Sequence, residues 1–186
     1  MEILYDSTES IYLAHKTKDK CFFTGNDIME FKYMYLDPDT IKTGWGMYDT
    51  NGYNFKWDDT VGQKSPQPAD GWKRAFSVWV YVDGNPEKPL LWERFTYGEF
   101  EAFKQLLRGF WNAKDAHAPN LPQFKYIKSV EHKVGLGTTA IPEFEFVEFK
   151  PRPEKFQIPV WANETDELVE TVQENPVVDN PDEIPF

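Results

Sequence analysis

A single cysteine, Cys21, in 186 residues excludes an intramolecular disulfide and any zinc site built from several thiolates. So few thiols suit a reducing compartment, and a cytoplasmic location is expected. Histidine is also scarce. His15, His117 and His132 lie far apart, with no cysteine or carboxylate at a ligand spacing, so neither a metal site nor a cofactor is expected. No apolar run approaches the ~20 residues that span a bilayer, and no membrane partner is expected. The opening stretch MEILYDSTES has no basic region leading into an apolar one, so no signal peptide is expected. GLGTT (residues 135–139) lacks the lysine of a phosphate loop and follows a strand without opening a helix; it reads as a turn. The carboxylates of EFEFVE alternate with apolar residues, as on the wet face of a half-buried strand. No nucleophile stands in a pattern with a base, and an enzyme is not expected.

Charge is present but uneven. The net charge is -11, yet residues 164–186 hold eight acidic residues and no Lys or Arg. Residues 1–163 keep the other 23 acids against all 20 basic residues, a net of -3. The body is thus nearly balanced, and its total charge is no argument against nucleic acid. From Glu164 onward the chain is acidic and poor in aromatics, so it cannot bury enough apolar surface to offset its ordering entropy. The expected organisation is a folded domain over 1–155 and a disordered acidic tail over 156–186, with residues 156–163 the ambiguous part.

Within the domain the patterns are short. SIYLAHK reads as a strand, and Phe31, Tyr33 and Tyr35 alternate as in another. Thr50-Asn51-Gly52 marks a hairpin tip between two aromatic-rich arms. AFSVWVYV (75–82) puts Phe76, Val78, Val80 and Val82 on one face and Ser77, Trp79 and Tyr81 on the other. LLWERF reads as its partner strand. GEFEAFKQLLRGFW is the one convincing helix, with Phe100, Phe103, Leu106, Leu107 and Phe110 on a stripe. FKYIKSVEHKV and IPEFEFVEFK read as a final hairpin. The apolar phase of its second strand shifts from Phe146 to Val147, as at a bulge. Six to eight short strands with one helix mid-way favour a mainly β, OB-fold-like antiparallel Greek-key barrel; a β-sandwich with one helix is the alternative.

Aromatics are abundant: seven Trp, nine Tyr and fifteen Phe make up 17% of the chain. Trp45, Tyr48, Tyr53, Phe55 and Trp57 fall within thirteen residues, with Lys56 among them and Lys42 just before. Trp72, Lys73 and Arg74, then Trp79 and Tyr81, then Trp92 and Arg94 follow. Flat rings that stack on unpaired bases, interleaved with cations that track phosphates, are the equipment of single-strand binding. The competing reading is that these rings build the core. For Trp79 and Tyr81 the two are evenly matched, because the aliphatic face opposite them can fill a core by itself.

The chain closes with Asp182-Glu183-Ile184-Pro185-Phe186. This resembles the C-terminal tip of bacterial-type single-stranded DNA-binding proteins, where acidic residues precede Ile-Pro-Phe. The resemblance implies that Phe186 inserts in an apolar pocket of a partner, its α-carboxylate meets a basic residue, and the acids meet a basic rim. GWKRAFSVWVYV and KTGWGMYD look more like phage-encoded proteins of replication and recombination. The expected function is therefore sequence-nonspecific protection of single-stranded DNA in a bacteriophage-infected cell. Replication, recombination or repair proteins would be recruited through the tip, and a homo-oligomer is possible in such a family. The alternatives are a recruitment adaptor whose barrel binds protein and an acidic DNA mimic.

Overall fold

The computed structural model describes residues 11–83, 88–111, 119–160 and 162. The expected tail beyond residue 163, with Asp182, Glu183, Ile184, Pro185 and Phe186, lies outside the described residues. The strands are β1 (Leu13–Lys16), β2 (Cys21–Thr24), β3 (Asp27–Met29), β4 (Tyr33–Leu36), β5 (Lys42–Asp49), β6 (Gly52–Trp57), β7 (Lys73–Val82), β8 (Pro89–Arg94), β9 (Leu121–Val134) and β10 (Gly137–Lys150). A 3-10 turn, Pro38–Thr40, joins β4 to β5, and helix α1 (Tyr97–Phe110) follows β8. The fold is mainly β with antiparallel strands and one long helix, as expected. The strand number exceeds the expected range because residues 21–29 form two short strands, β2 and β3, that complete a small sheet with β1.

The alternating segment 75–82 becomes the hub of the larger sheet. On one edge β7 pairs with β8 from Phe76 to Tyr81. On the other it pairs with β5 over Lys73–Ser77 and with β4 over Val80–Val82. Because β8 overlaps both ranges, β4 and β5 must share the same edge of β7, as one strand broken by the 3-10 turn. On that edge the break gives Trp79 no strand partner, and the turn takes its place. Asp37 N–H donates to the Trp79 carbonyl at 3.1 Å, and Trp79 N–H donates to Thr40 Oγ1 at 3.0 Å. Beyond the break the sheet forks: β4 continues into β9 and β10, whereas β5 continues into β6. β6 and β10 stand at opposite ends of this path, so the sheet is open and the expected closed barrel is not formed. The physical reason is the fork itself, which sends the two terminal strands apart.

One face of β7 builds the main core. Phe76, Val78, Val80 and Val82 meet the helix stripe of Phe100, Phe103, Leu106, Leu107 and Phe110. Phe76 and Phe103 stack at 4.3 Å between centroids. Helix α1 lies so close to β10 that a Cβ on Gly98 would sit 2.6 Å from the Ala140 carbonyl oxygen, so only glycine fits there. The expected bulge in β10 is present: the register slips between Phe146 and Glu148, and again between Glu143 and Phe144.

The other face of β7 is covered over most of its length. Trp79 and Tyr81, 5% and 9% exposed, are buried with Leu121 and Phe156, and Ile158 packs against them. Phe156 is fully buried, 5.8 Å from the Tyr81 ring, so the packed chain continues past residue 155. Arg152 anchors this cover. It pairs with the buried Asp37 carboxylate at the strand break, donates to the Phe156 carbonyl at 3.1 Å, and lies over the Phe156 ring. Phe156→Ala should cost about 3–5 kcal/mol of stability, the usual range for a buried Phe truncation, measured by urea unfolding. Trp79 emission should shift to the red in the folded mutant. An unchanged midpoint would show that the cover does not hold this face closed.

Candidate nucleic-acid interface

Past Ala75, which is still buried, the covered face of β7 opens at Lys73. Antiparallel register places Lys73 of β7 opposite Gly46 of β5, and Gly46 opposite Phe55 of β6. Tyr48 lies opposite Tyr53, and Gly44 opposite Trp57. Because side chains alternate, Tyr48, Tyr53, Phe55 and Trp57 all stand on this one face. Phe95, just past the end of β8, joins them. The rings form a continuous row: Trp57 on Phe55 at 5.0 Å with planes 7° apart, Phe55 to Phe95 at 6.0 Å, Phe95 to Tyr53 at 5.8 Å, Tyr53 to Tyr48 at 5.0 Å. Gly46 makes the row possible, since a Cβ there would meet the Phe95 ring at 2.7 Å. Tyr48 and Tyr53 are 66% and 60% exposed, while Phe55, Trp57 and Phe95 are half-buried.

At the tyrosine end lies a cleft of about 190 Å³ lined by Tyr48, Tyr53, Glu93, Arg94, Phe95 and Thr96. Two of its lining residues, Arg94 and Thr96, are held by Glu99, a buried carboxylate at the third position of α1. Glu99 Oε2 accepts from Trp92 Nε1 at 2.8 Å and from the His15 backbone N–H at 3.1 Å. Glu99 Oε1 accepts from Arg94 Nε at 2.8 Å and from Thr96 Oγ1 at 3.0 Å. Burial works against the charge of Arg94, but the Glu99 carboxylate and the Tyr53 hydroxyl outweigh it and raise its pKa. Arg94 is thus a fixed cation at the cleft wall. Burial pushes the Glu93 carboxyl upward, only partly offset by a Ser77 hydrogen bond and the charge of Lys42.

Apart from Arg94 at the cleft wall, the sequence-expected interface residues divide into three groups. Tyr48, Tyr53, Phe55 and Trp57 form the row, and register puts Lys42 and Lys73 on the same face. Trp45, Lys56, Trp72 and Arg74 lie away from it. Lys56 sits over the Trp72 ring, and Arg74 over the buried Trp45 ring. Arg74 is further held by a two-pronged pair with Asp58, at 2.7 and 3.1 Å. Burial alone would raise the Asp58 pKa, but hydrogen bonds from Arg74, Ser65 and Thr43 lower it overall. Arg74 therefore pins the 58–72 loop and is not free to track phosphates. Trp79, Tyr81 and Trp92 make up the third group, and all are buried. They cannot offer a base a stacking face while the fold is intact, because Phe156 covers the first two and the main core encloses Trp92. Phe95 and Glu93 were missed by sequence reasoning. Their signal was the alternation of Leu91, Glu93 and Phe95 opposite the inward Trp92.

One nucleophile–base contact does form, contrary to the sequence expectation. His15 Nε2 lies 2.8 Å from Ser129 Oγ, which also lies 2.6 Å from the Tyr126 hydroxyl. His15 is 3% exposed, packs edge-on to Phe22, and does not line the cleft. Burial first, and the Arg94 charge second, lower its pKa from 6.5 to about 4. A ring held neutral at that level is a weak proton acceptor, and the contact ties β1 to β9. Among the described residues, no group of three or more His, Cys, Asp or Glu is placed to hold a metal ion. No helix among them is long and apolar enough to cross a membrane. Comparison with protein-family models, curated proteins and solved structures finds no match.

His15 yields a pH dependence. Below pH 6.5 the unfolded chain takes a proton at this ring that the folded chain refuses until about pH 4. Stability should therefore fall as pH drops through that window, and this group should contribute nothing to the slope above it. Urea midpoints between pH 7.5 and 4 should show a smaller decline for His15→Gln. Parallel curves would mean that His15 titrates normally in the fold.

Proposed function

We propose that the chain binds single-stranded nucleic acid through the aromatic row on β5, β6 and Phe95. The observation that carries this is the row itself: five touching rings on an open sheet face, with two tyrosines well exposed. Flat rings in succession suit unpaired bases, each stacked base being worth about 1–3 kcal/mol. Readout by stacking is indifferent to sequence along most of the row. Lys42 and Lys73 are the cations on the same face. The reading needs an open aromatic face and does not depend on a closed OB barrel; the OB-like kinship expected from the strand order is part of the proposal. Protection of single-stranded DNA in replication, recombination or repair, and a phage origin, rest on the sequence resemblance, as does recruitment of partner proteins through Asp182 to Phe186. No catalytic step is proposed. A protein-binding adaptor is the rival, for an aromatic face can seat a protein as well as a base.

A fluorescence titration separates them. Oligo-dT should quench tryptophan emission through Trp57, and duplex DNA should bind far more weakly. Tyr53→Ala should weaken oligo-dT binding by about 1–3 kcal/mol with the urea midpoint little changed. With a slope of about -0.7 per phosphate contact, two to four contacts should give a shallow log-log salt dependence of about -1.4 to -2.8. Failure of any single strand to bind would leave the adaptor reading. Full affinity in Tyr53→Ala would place the interface elsewhere.

A further inference from the structure

The aromatic row stands on the last strand of the sheet. β6 ends the path that begins at β10, and it is paired on one side only, by β5. In an antiparallel ladder, successive residues turn their backbone groups alternately toward the neighbouring strand and away from it. Asp58 N–H donates to the Thr43 carbonyl of β5 at 2.7 Å, which fixes the phase. Asp58, Lys56 and Asn54 therefore face β5, and Tyr53, Phe55 and Trp57 turn their N–H and C=O groups outward. The same three residues carry rings of the row. Among the described residues, no backbone hydrogen bond reaches their outward groups.

An open strand edge invites a further strand, and folds guard against this with proline, bulges and charge. β10, at the other end of the path, is guarded in this way. It holds Pro142, two register slips, and the charges of Glu143, Glu145, Glu148 and Lys150. β6, with the sequence GYNFKW, has no proline, keeps an unbroken register with β5 and carries one charge, Lys56.

We infer that β6 pairs antiparallel with β6 of a second copy, about a two-fold axis at Phe55. In that register Phe55 exchanges backbone hydrogen bonds with the partner's Phe55, and Tyr53 exchanges them with the partner's Trp57. Every outward group of the three residues is then met. Directly opposite residues share a face of the sheet, so ring stands against ring along one side of the seam. On the other side Lys56 stands opposite the partner's Asn54, and the two lysines do not oppose each other. The strand is thus complementary to itself, which is why the occupant is a second copy and not an unrelated chain. The two aromatic rows become one surface that crosses the axis. The partner extends the proposed stacking surface, but the pairing does not depend on what that surface binds.

Light scattering on the full chain, without nucleic acid, tests this. The wild type should have twice its chain mass of 21.8 kDa at micromolar concentration. Asn54→Lys sets like charges opposite each other on both sides of the axis and should weaken dimerisation by about tenfold. Adding Lys56→Glu to it should restore the dimer, because each of those seam pairs then joins opposite charges. Both positions lie on the face away from the row, so the rings are left in place. Hydrogen exchange on the unmutated chain gives a second reading that no folding defect can blunt: the Phe55 amide should be protected, and more so as protein concentration rises. A monomer at every concentration would overturn the pairing. So would a dimer as stable in Asn54→Lys as in the wild type, a double variant that does not recover, or a Phe55 amide that exchanges as at an open edge. A dimer with the expected responses that binds no single strand would support the pairing and remove the proposed function.

Discussion

A carboxylate buried in an apolar core is tolerated only if its lone pairs are taken, and Glu99 meets that condition with four donors. The donors come from β1, from β8 and from the start of α1, so three elements converge on one side chain. Thr96 and Glu99 stand at the spacing of a capping box, but the pair has been turned inward. The threonine hydroxyl donates to the carboxylate and does not cap the helix. The consequence reaches the surface. Arg94 is fixed by Glu99, Tyr53 is fixed by Arg94, and the cleft and the exposed end of the aromatic row take their shape from that chain of bonds. Loss of the carboxylate would leave a buried indole N–H without a partner and a half-buried guanidinium without its counter-charge, a defect that typically costs several kcal/mol.

The second constraint is the break between β4 and β5. A continuous strand along β7 would have kept the sheet in one piece. The Asp37–Thr40 turn makes it fork, and the two branches have different fates. The β4 branch is roofed by Phe156 and its neighbours, and Asp37 itself anchors that roof through Arg152. Among the described residues the β5 branch has no such cover; Gly46 leaves room for the Phe55 and Phe95 rings to lie across it, and at Gly44 the β6 backbone itself comes too close for a side chain. The same face of one strand is therefore core at Trp79 and open surface a few residues earlier.

That division explains what was legible in the sequence. β7, β8 and α1 could be read because their periodicities are long and unbroken. The hairpin tip at Asn51-Gly52 was marked by turn chemistry, and the β10 bulge by a phase slip at Val147. β2 and β3 were not read, since strands of three or four residues carry too few alternations to stand out. Open rings at Tyr48, Tyr53, Phe55 and Trp57 were legible as an alternating cluster. Buried rings at Trp79, Tyr81 and Trp92 looked the same locally. Whether a strand face is covered depends on residues far along the chain, here Leu121 and Phe156, and alternation contains no information about them. Closure of the barrel failed as an expectation for the same reason: strand count does not reveal where a strand breaks.

Cations show this most clearly. Five basic residues were candidates for a phosphate-tracking groove. Arg74 is bound to Asp58 and Arg94 to Glu99, while Lys56 turns to Trp72 on the other side of the sheet. Guanidinium groups suit such internal pairing, because their planar donor forks match carboxylates and they are weakly hydrated. The arginines thus hold the scaffold, and only the lysines at 42 and 73 share the face of the aromatic row. Lys42 itself lies within the influence of Glu93. A surface built this way has little charge left for phosphates. Any strand it holds must be held chiefly by its bases, so ring geometry, and not net charge, is what the fold has to preserve.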